Sequence, residues 1–462
     1  MRKAEVILAL LNQRTTDCAE YVFHRLYRNF YNPEFYLLAY RFIAQRNSIT
    51  RRNQHIHLEQ VRRLIEKMKR ESFYPIAIRN SNTSQNKSTS FDVLPIEDQL
   101  VQEVLRFMLE AIFAPLFLES SHGFRPNRNI HTGLLSFKQG AVGSTWLIKG
   151  TIQSFFSGID HSLLINRLGK KMNDGRILEL VKRFLHAGYL EWPNNQLCPI
   201  LSNIYYHELD VFVDELMENK KGAFAQHEPI LLSSRNIHYV RYNDHFLIGI
   251  RGTKGLAKQV YQKIATFLDQ ELNIRPSQGL LQFCHLADQS IQFLGYELTR
   301  AKSNQELQPI QLLVSNQVLR SYLKPYSKHN KPAPHPARVH LDLFELISLY
   351  RREMSRLYDY YCLASDVSSK LGTFRYFHYY SLAKTIALKE KISVKQVFQK
   401  YGVDVKRRQG TGTKRLIGIG YKAESGLHKV LTYFDQPLKR QGKAKLHVND
   451  DSCRMIKKHI IS

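Results

Sequence analysis

The stretch from Ile237 to Gly249, IHYVRYNDHFLIG, constrains this chain more than any other. Two short β-branched and aromatic runs meet at the polar tip Asn243-Asp244-His245, a pattern that predicts a β-hairpin. A turn that carries an acidic residue between apolar strands holds charge at a rigid corner. Such a corner suits metal-dependent phosphoryl chemistry, although an ordinary surface turn would read the same on these residues alone.

The rest of the composition shifts that balance. There are 67 lysines and arginines against 40 acidic residues, a formal charge of +27, together with 25 tyrosines and 25 phenylalanines. A chain this basic and this aromatic expects a polyanion, with RNA or DNA first and an acidic membrane surface second. No apolar run reaches the ~20 residues of a spanning helix. At 462 residues the chain is long enough for two or three domains with their own cores. Its five cysteines lie far apart with no CxxC spacing, which excludes the usual zinc frameworks and a disulfide scaffold and fits a reducing compartment. The first twenty residues contain Glu5, Asp17 and Glu20 and predict a first helix in place of a signal or transit peptide. Charge is uneven: residues 301–462 hold 30 lysines and arginines against 12 acids, a net +18, so a nucleic-acid-binding region is expected there.

Along the chain, residues 19–45 predict helix, turn at Asn32-Pro33, helix. Leu58, Val61, Leu64, Ile65 and Met68 recur at helical spacing, with basic residues off the stripe. Residues 80–90 form a polar break, and a further amphipathic helix is expected from about Glu97 to Phe113. It leads into HGFRPNRNIHTGL at His122–Leu134.

That segment resembles the fingers region of group II intron reverse transcriptases, the intron-encoded maturases. The match continues in order. Trp146–Ile165 resembles the first palm strand and following helix, Cys198–Leu216 the palm helix, Tyr239–Ile250 the catalytic hairpin and Phe293–Leu298 the end of the palm. Arg351–Ser365 and Tyr380–Lys391 resemble the thumb region called domain X. The resemblance covers roughly residues 20–405, and several motifs in the right order make it specific.

Polymerisation by this family uses two divalent metals ~3.5–4 Å apart, which need several carboxylates. The resemblance places those carboxylates at Thr151 and in Tyr242-Asn243-Asp244-His245, so only Asp244 survives. A third family Asp is here Ser157. The family's Pro-Gln-Gly-Gly falls at Trp192-Pro193-Asn194-Asn195, and its Arg-Pro-Leu-x-Ile-Pro at Thr89–Leu94, without the arginine. Thr151, Asp244 and His245 are therefore eroded polymerase positions, and no catalytic or metal-ligating residue is expected. The RNA-binding candidates are Arg125 and Arg128, then Arg351, Arg352 and Arg356, then Lys384, Lys389 and Lys391, and finally Lys406, Arg407 and Arg408. Residues 324–338 are expected as an exposed Pro-rich basic linker, and the tail from Lys406 as RNA-contacting or flexible.

The resemblance implies an α+β right-hand fold of fingers and palm followed by an all-helical thumb. Its expected divisions are 1–90 (helical extension and fingers), 91–300 (fingers and palm), 301–340 (linker and start of thumb), 341–405 (domain X) and 406–462 (basic tail). The implied function is a maturase that stabilises folded group II intron RNA within a host pre-mRNA, with reverse-transcriptase activity lost. Rival readings are an RNA-binding scaffold in another ribonucleoprotein such as a ribosome, and an active RNA-directed DNA polymerase. No protein-bound cofactor is expected, only Mg²⁺ carried by the intron RNA. Neither a membrane nor an endonuclease target DNA is expected as partner, while a homodimer or accessory splicing factors remain open. The expected location is organellar, mitochondrion ahead of chloroplast, with bacterial cytoplasm as the alternative.

Overall fold

The sequence periodicities become helices close to where they were expected. A computed structural model describes residues 2–46, 58–77, 94–152, 159–189, 195–218, 236–274, 280–301, 309–406, 412–422 and 426–446. Residues 80–90, Ser157, Trp192–Asn194, Arg407 and Arg408 lie outside the described residues. The chain divides into two compact units: residues 1–126, 148–248 and 253–282, and residues 127–147, 249–252 and 283–462.

The first unit opens with α1 (Ala4–Asp17), the helix expected at the N-terminus. The helix expected over residues 19–31 does not form. Phe23–His24 (β1) pairs in parallel with Met172–Asn173 (β3), and Leu26–Tyr31 is a 3-10 helix. Long-range partners override the local periodicity here, because the Asp174 carboxylate accepts a hydrogen bond from the Tyr27 N–H at 2.9 Å. Helix α2 (Pro33–Arg46) then starts as predicted, with Pro33 at its first position and the Asn32 side chain accepting from Glu34 N. In α3 (Leu58–Lys69) the residues Val61, Leu64, Ile65 and Met68 are buried, while Leu58 is exposed. α4 (Ile96–Phe113) is buried on most of its circumference, and its internal Glu103 is neutralised by Arg106 through two bonds of 2.9 Å.

Helix α5 (Ile130–Gly140) belongs to the second unit. The first unit continues with α6 (His161–Lys171), α7 (Gly175–His186), α8 (Cys198–Glu218) and α9 (Lys254–Gln270). Asp160, Asp174 and Thr253 cap α6, α7 and α9 with side-chain oxygens. The predicted hairpin is present as β4 (Ile237–Tyr242) and β5 (His245–Ile250). It lies in a four-stranded sheet of order β4-β5-β2-β6, in which β2 is Trp146–Thr151 and β6 is Leu281–His285.

In the second unit, β7 (Ile291–Phe293), β8 (Tyr296–Arg300) and β9 (Ile310–Val314) form an antiparallel meander. Helix α10 (Asn316–Leu323) leads to the segment expected to be an exposed linker, but this segment is folded. Tyr326 is buried, and β10 (Ser327–Lys328) pairs with β11 (Lys331–Pro332). The reason is a polar cluster that ties the segment to the two long helices α11 (Leu343–Tyr361) and α12 (Val367–Glu390). Glu353 of α11 accepts from Arg338 at 2.9 and 2.7 Å and from the Tyr326 hydroxyl at 3.0 Å. His378 of α12 lies 3.2 Å from the same carboxylate through Nε2 and 3.0 Å from the Tyr433 hydroxyl through Nδ1. α11 buries the expected stripe Leu346, Ile347, Tyr350, Met354, Leu357, Tyr358 and Tyr361.

After α13 (Val394–Tyr401) the expected all-helical region ends, and the described part of the stretch from Lys406, expected as RNA-contacting or flexible, includes sheet. Strands β12 (Gly402–Lys406), β13 (Thr413–Lys422) and β14 (His428–Thr432) form an antiparallel sheet. Its period-2 residues Ile417, Ile419 and Tyr421 lie on one face of β13, and Ile417 is fully buried. No helix among the described residues is long and apolar enough to cross a membrane.

The Glu353 cluster sets a pH dependence. Burial opposes ionisation of Glu353, but the bonds from His378 and Arg338 outweigh it and hold the carboxyl at about 2, below its ordinary 4.5. A depressed carboxyl contributes stability that is complete above 4.5 and lost as the pH falls towards 2. Burial also lowers the His378 pKa below its ordinary 6.5, so the neutral ring makes a separate contribution that begins to fade as the pH falls below 6.5. At pH 7 Glu353→Gln is expected to cost about 3 kcal/mol of unfolding free energy. In urea titrations the gap between variant and parent narrows below pH 4.5 and falls to about a quarter of its size by pH 2.5; a gap independent of pH would refute the assignment.

Candidate functional site

The hairpin tip and its surroundings are built from inside the first unit. Arg241, the next-to-last residue of β4, is fully buried. Its guanidinium takes the Asp210 carboxylate of α8 in a two-pronged pair, with both bonds at 2.7 Å. It also donates to Ser121 Oγ at 2.9 Å, to Asn203 Oδ1 at 3.2 Å and to the Asn243 carbonyl at 2.9 Å. Burial works against this charge, and Asp210 more than offsets it, so the guanidinium sits above its ordinary value. Arg241 thus joins the tip, α8 and the loop before Gly123 at one point.

The same loop pairs with β4 through its backbone. His122 N donates to Arg241 O and Arg241 N to Ser120 O, both at 2.8 Å. Gly123 permits this approach, because a Cβ there would fall 2.6 Å from the backbone nitrogen of Asn243. Asn243 takes the left-handed conformation of the tip, with φ 55°, which asparagine tolerates better than most side chains.

At the tip, the three eroded positions meet. Ile152 N donates to Asp244 O at 2.9 Å, which sets the end of β2 beside the turn. His245 Nδ1 lies 3.2 Å from Thr151 Oγ1, and His245 Nε2 lies 3.7 Å from Asp244 Oδ1. All three side chains are partly exposed. Gly150 beside them leaves room for the Phe246 ring, which a Cβ would meet at 2.0 Å. Lys149 lies two residues before Thr151 on the same side of β2, and burial pushes its pKa down. The corner therefore holds one carboxylate, one hydroxyl and one imidazole, with a lysine nearby. Two hard cations require several anionic oxygens, and this donor set does not fit them.

Asn195, at a position where the resemblance implies glycine, is buried and holds its own loop. Its amide nitrogen donates to Tyr189 O and its oxygen accepts from Leu197 N at 2.8 Å. Asn195 thus braces Tyr189 against the start of α8.

The basic candidates separate by environment. The Arg125 guanidinium is bound to Leu118 O and Ser121 O and lies 5.8 Å from the Phe117 ring centroid. Arg128 is half-buried. Arg351 donates to Thr432 O, Lys384 to Pro332 O at 2.7 Å and Lys389 to Val339 O at 3.1 Å. Arg352, Arg356, Lys391 and Lys406 are exposed. Sequence reasoning missed Arg241 and Asp210, although one charge in the strand IHYVRY and one in the apolar part of α8 was a signal for a buried pair.

Comparison with known proteins defines the class. The family described as type II intron maturase matches residues 303–443. The group II intron-encoded protein LtrA of Lactococcus lactis subsp. cremoris is 26% identical, over 92% of this chain and 83% of its own length. An uncharacterised 91 kDa protein in the cob intron of Schizosaccharomyces pombe is 30% identical over 45% of the chain and 32% of its own length. Nuclear intron maturase 1, mitochondrial, of Arabidopsis thaliana is 25% identical over 44% and 40%. The chain mixes helices and strands, and the maturase family model matches its last third. It is similar to group II intron-encoded proteins and intron maturases, and those proteins are related to reverse transcriptases.

Removing one partner of the buried pair leaves an uncompensated charge. Arg241→Leu is expected to cost roughly 3–5 kcal/mol in urea unfolding. Arg241→Leu combined with Asp210→Leu should cost clearly less than the two single changes added together; strict additivity would show that the pair is not coupled.

Proposed function

We propose that this protein is an RNA-binding maturase that assists group II intron splicing by stabilising the folded intron RNA, and that it has lost reverse-transcriptase activity. One observation carries the loss: where a copying enzyme needs carboxylates, His245 lies 3.2 Å from the Thr151 hydroxyl and 3.7 Å from Asp244, the one carboxylate there. On this reading the first unit derives from fingers and palm, and the helices α11 to α13 serve as thumb. The Mg²⁺ and the transesterification belong to the RNA, and the protein contributes a basic surface that relieves phosphate repulsion as RNA helices pack. Exposed Arg352 and Arg356 on α11, Lys391 after α12 and Lys406 at the end of β12 are its foremost contacts. Arg125, Arg351, Lys384 and Lys389 act mainly by holding backbone in place. The partner is intron-containing precursor RNA, and the host is an organelle, as for several relatives with mitochondrial names, or a bacterium, as for LtrA.

Primer extension on an RNA template with Mg²⁺ or Mn²⁺ should yield no cDNA above background, and clear extension would overturn the claim of inactivity. Intron-containing transcripts should co-purify with the protein; ribosomal RNA without intron RNA would favour a scaffold role instead. Affinity for the co-purified RNA should fall linearly with log salt concentration. Arg352→Gln combined with Arg356→Gln should flatten that slope by close to 2, at about 0.9 per phosphate contact. An unchanged slope would remove these two residues from the interface.

A further inference from the structure

The first unit holds a cavity of about 720 Å³ between α1 and the segment Tyr21–Asn32, away from the hairpin residues. Its size falls in the range of small-molecule sites. Four arginines line it, Arg2, Arg14, Arg25 and Arg28, and no carboxylate is among the lining residues. Neither the Arg25 nor the Arg28 guanidinium has a hydrogen-bond or ion-pair partner among the described residues, and both side chains are exposed. Several like charges converging on a concavity without a counter-charge favour an anion there.

The rest of the lining is aromatic and aliphatic. Arg14 donates to the Tyr21 hydroxyl at 2.7 Å, and its guanidinium lies 5.1 Å from the centroid of the same ring. Tyr21 in turn meets Phe23 edge-on at 4.8 Å. The ring is therefore held in place before any ligand arrives. Arg25 adopts φ 55°, a left-handed conformation that strains a long side chain and that glycine or asparagine would take more cheaply. β1 pairing on one side and the Asp174 bond to Tyr27 on the other fix that backbone, so the strain is imposed and the guanidinium is presented at the cavity.

An anion next to a flat apolar ring is the chemistry of a nucleoside phosphate. We propose that this cavity binds one, with the phosphate on Arg25 and Arg28 and the base against Tyr21. The ligand has two sources with the same chemistry, a free nucleotide or an unstacked nucleotide of an RNA strand. The second source rests on the RNA-binding reading above, and the first does not.

The test uses the full chain and two fluorescent probes, 2-aminopurine riboside 5′-monophosphate and a single-stranded oligoribonucleotide with one internal 2-aminopurine. Saturable quenching of the monophosphate assigns a free nucleotide, and quenching of the oligoribonucleotide alone assigns RNA. In either case Arg25→Gln with Arg28→Gln, and separately Tyr21→Ala, should weaken binding roughly tenfold, while Tyr21→Phe keeps it. Both arginines are exposed, so the double variant should unfold at the parent's temperature. The proposal is overturned if the parent quenches neither probe, or if the folded double variant binds both within about twofold of the parent. Failure of this cavity leaves co-purification of intron RNA intact, and failure of the maturase reading leaves monophosphate binding intact.

Discussion

The first unit depends on a charge that has no access to water. Arg241 and Asp210 are both fully buried, and a lone charge at either position would be costly enough to unfold a marginal domain. Together, with Ser121, Asn203 and the Asn243 carbonyl, they exhaust most of the guanidinium's donors. One side chain thereby joins a hairpin, a helix and a loop that are far apart in the chain. The bonding is directional, so the turn is fixed in orientation as well as in position.

That arrangement separates shape from chemistry at the tip. The contacts that build the turn point back towards α8 and the Gly123 loop, whereas Thr151, Asp244 and His245 face the partly exposed side. Substitution on the exposed side removes carboxylates without touching the anchor. The fold of the corner therefore does not depend on the side chains at its exposed side, and Asn195 likewise serves its own loop.

How much of this was legible in the sequence depended on the range of the interactions. The hairpin, α3, α4, α8 and the buried stripe of α11 were readable, because period and burial agree locally. The meeting of Thr151 with His245 followed from motif resemblance, since their separation of 94 residues leaves no local trace. Three stretches misled. Residues 19–31 obey β1–β3 pairing, and residues 324–338 look like a tether by their prolines but answer to Glu353. The stretch after Lys406 looks loose by its glycines, although Ile417, Ile419 and Tyr421 alternate as a strand should. The loss of independent cations was also hidden, because Lys384 and Lys389 read as surface charge and are spent on backbone carbonyls.

The folded segment at 324–338 has a consequence for recognition. With Tyr326 and Arg338 both clamped on Glu353, the chain entering α11 has no slack with which to reorient that helix. The arginines on its outer side are a fixed ruler in place of a reaching arm. On the RNA-binding reading, a polyanion that docks there has to bring matching spacing of its own, so stiffness would add to selectivity alongside charge.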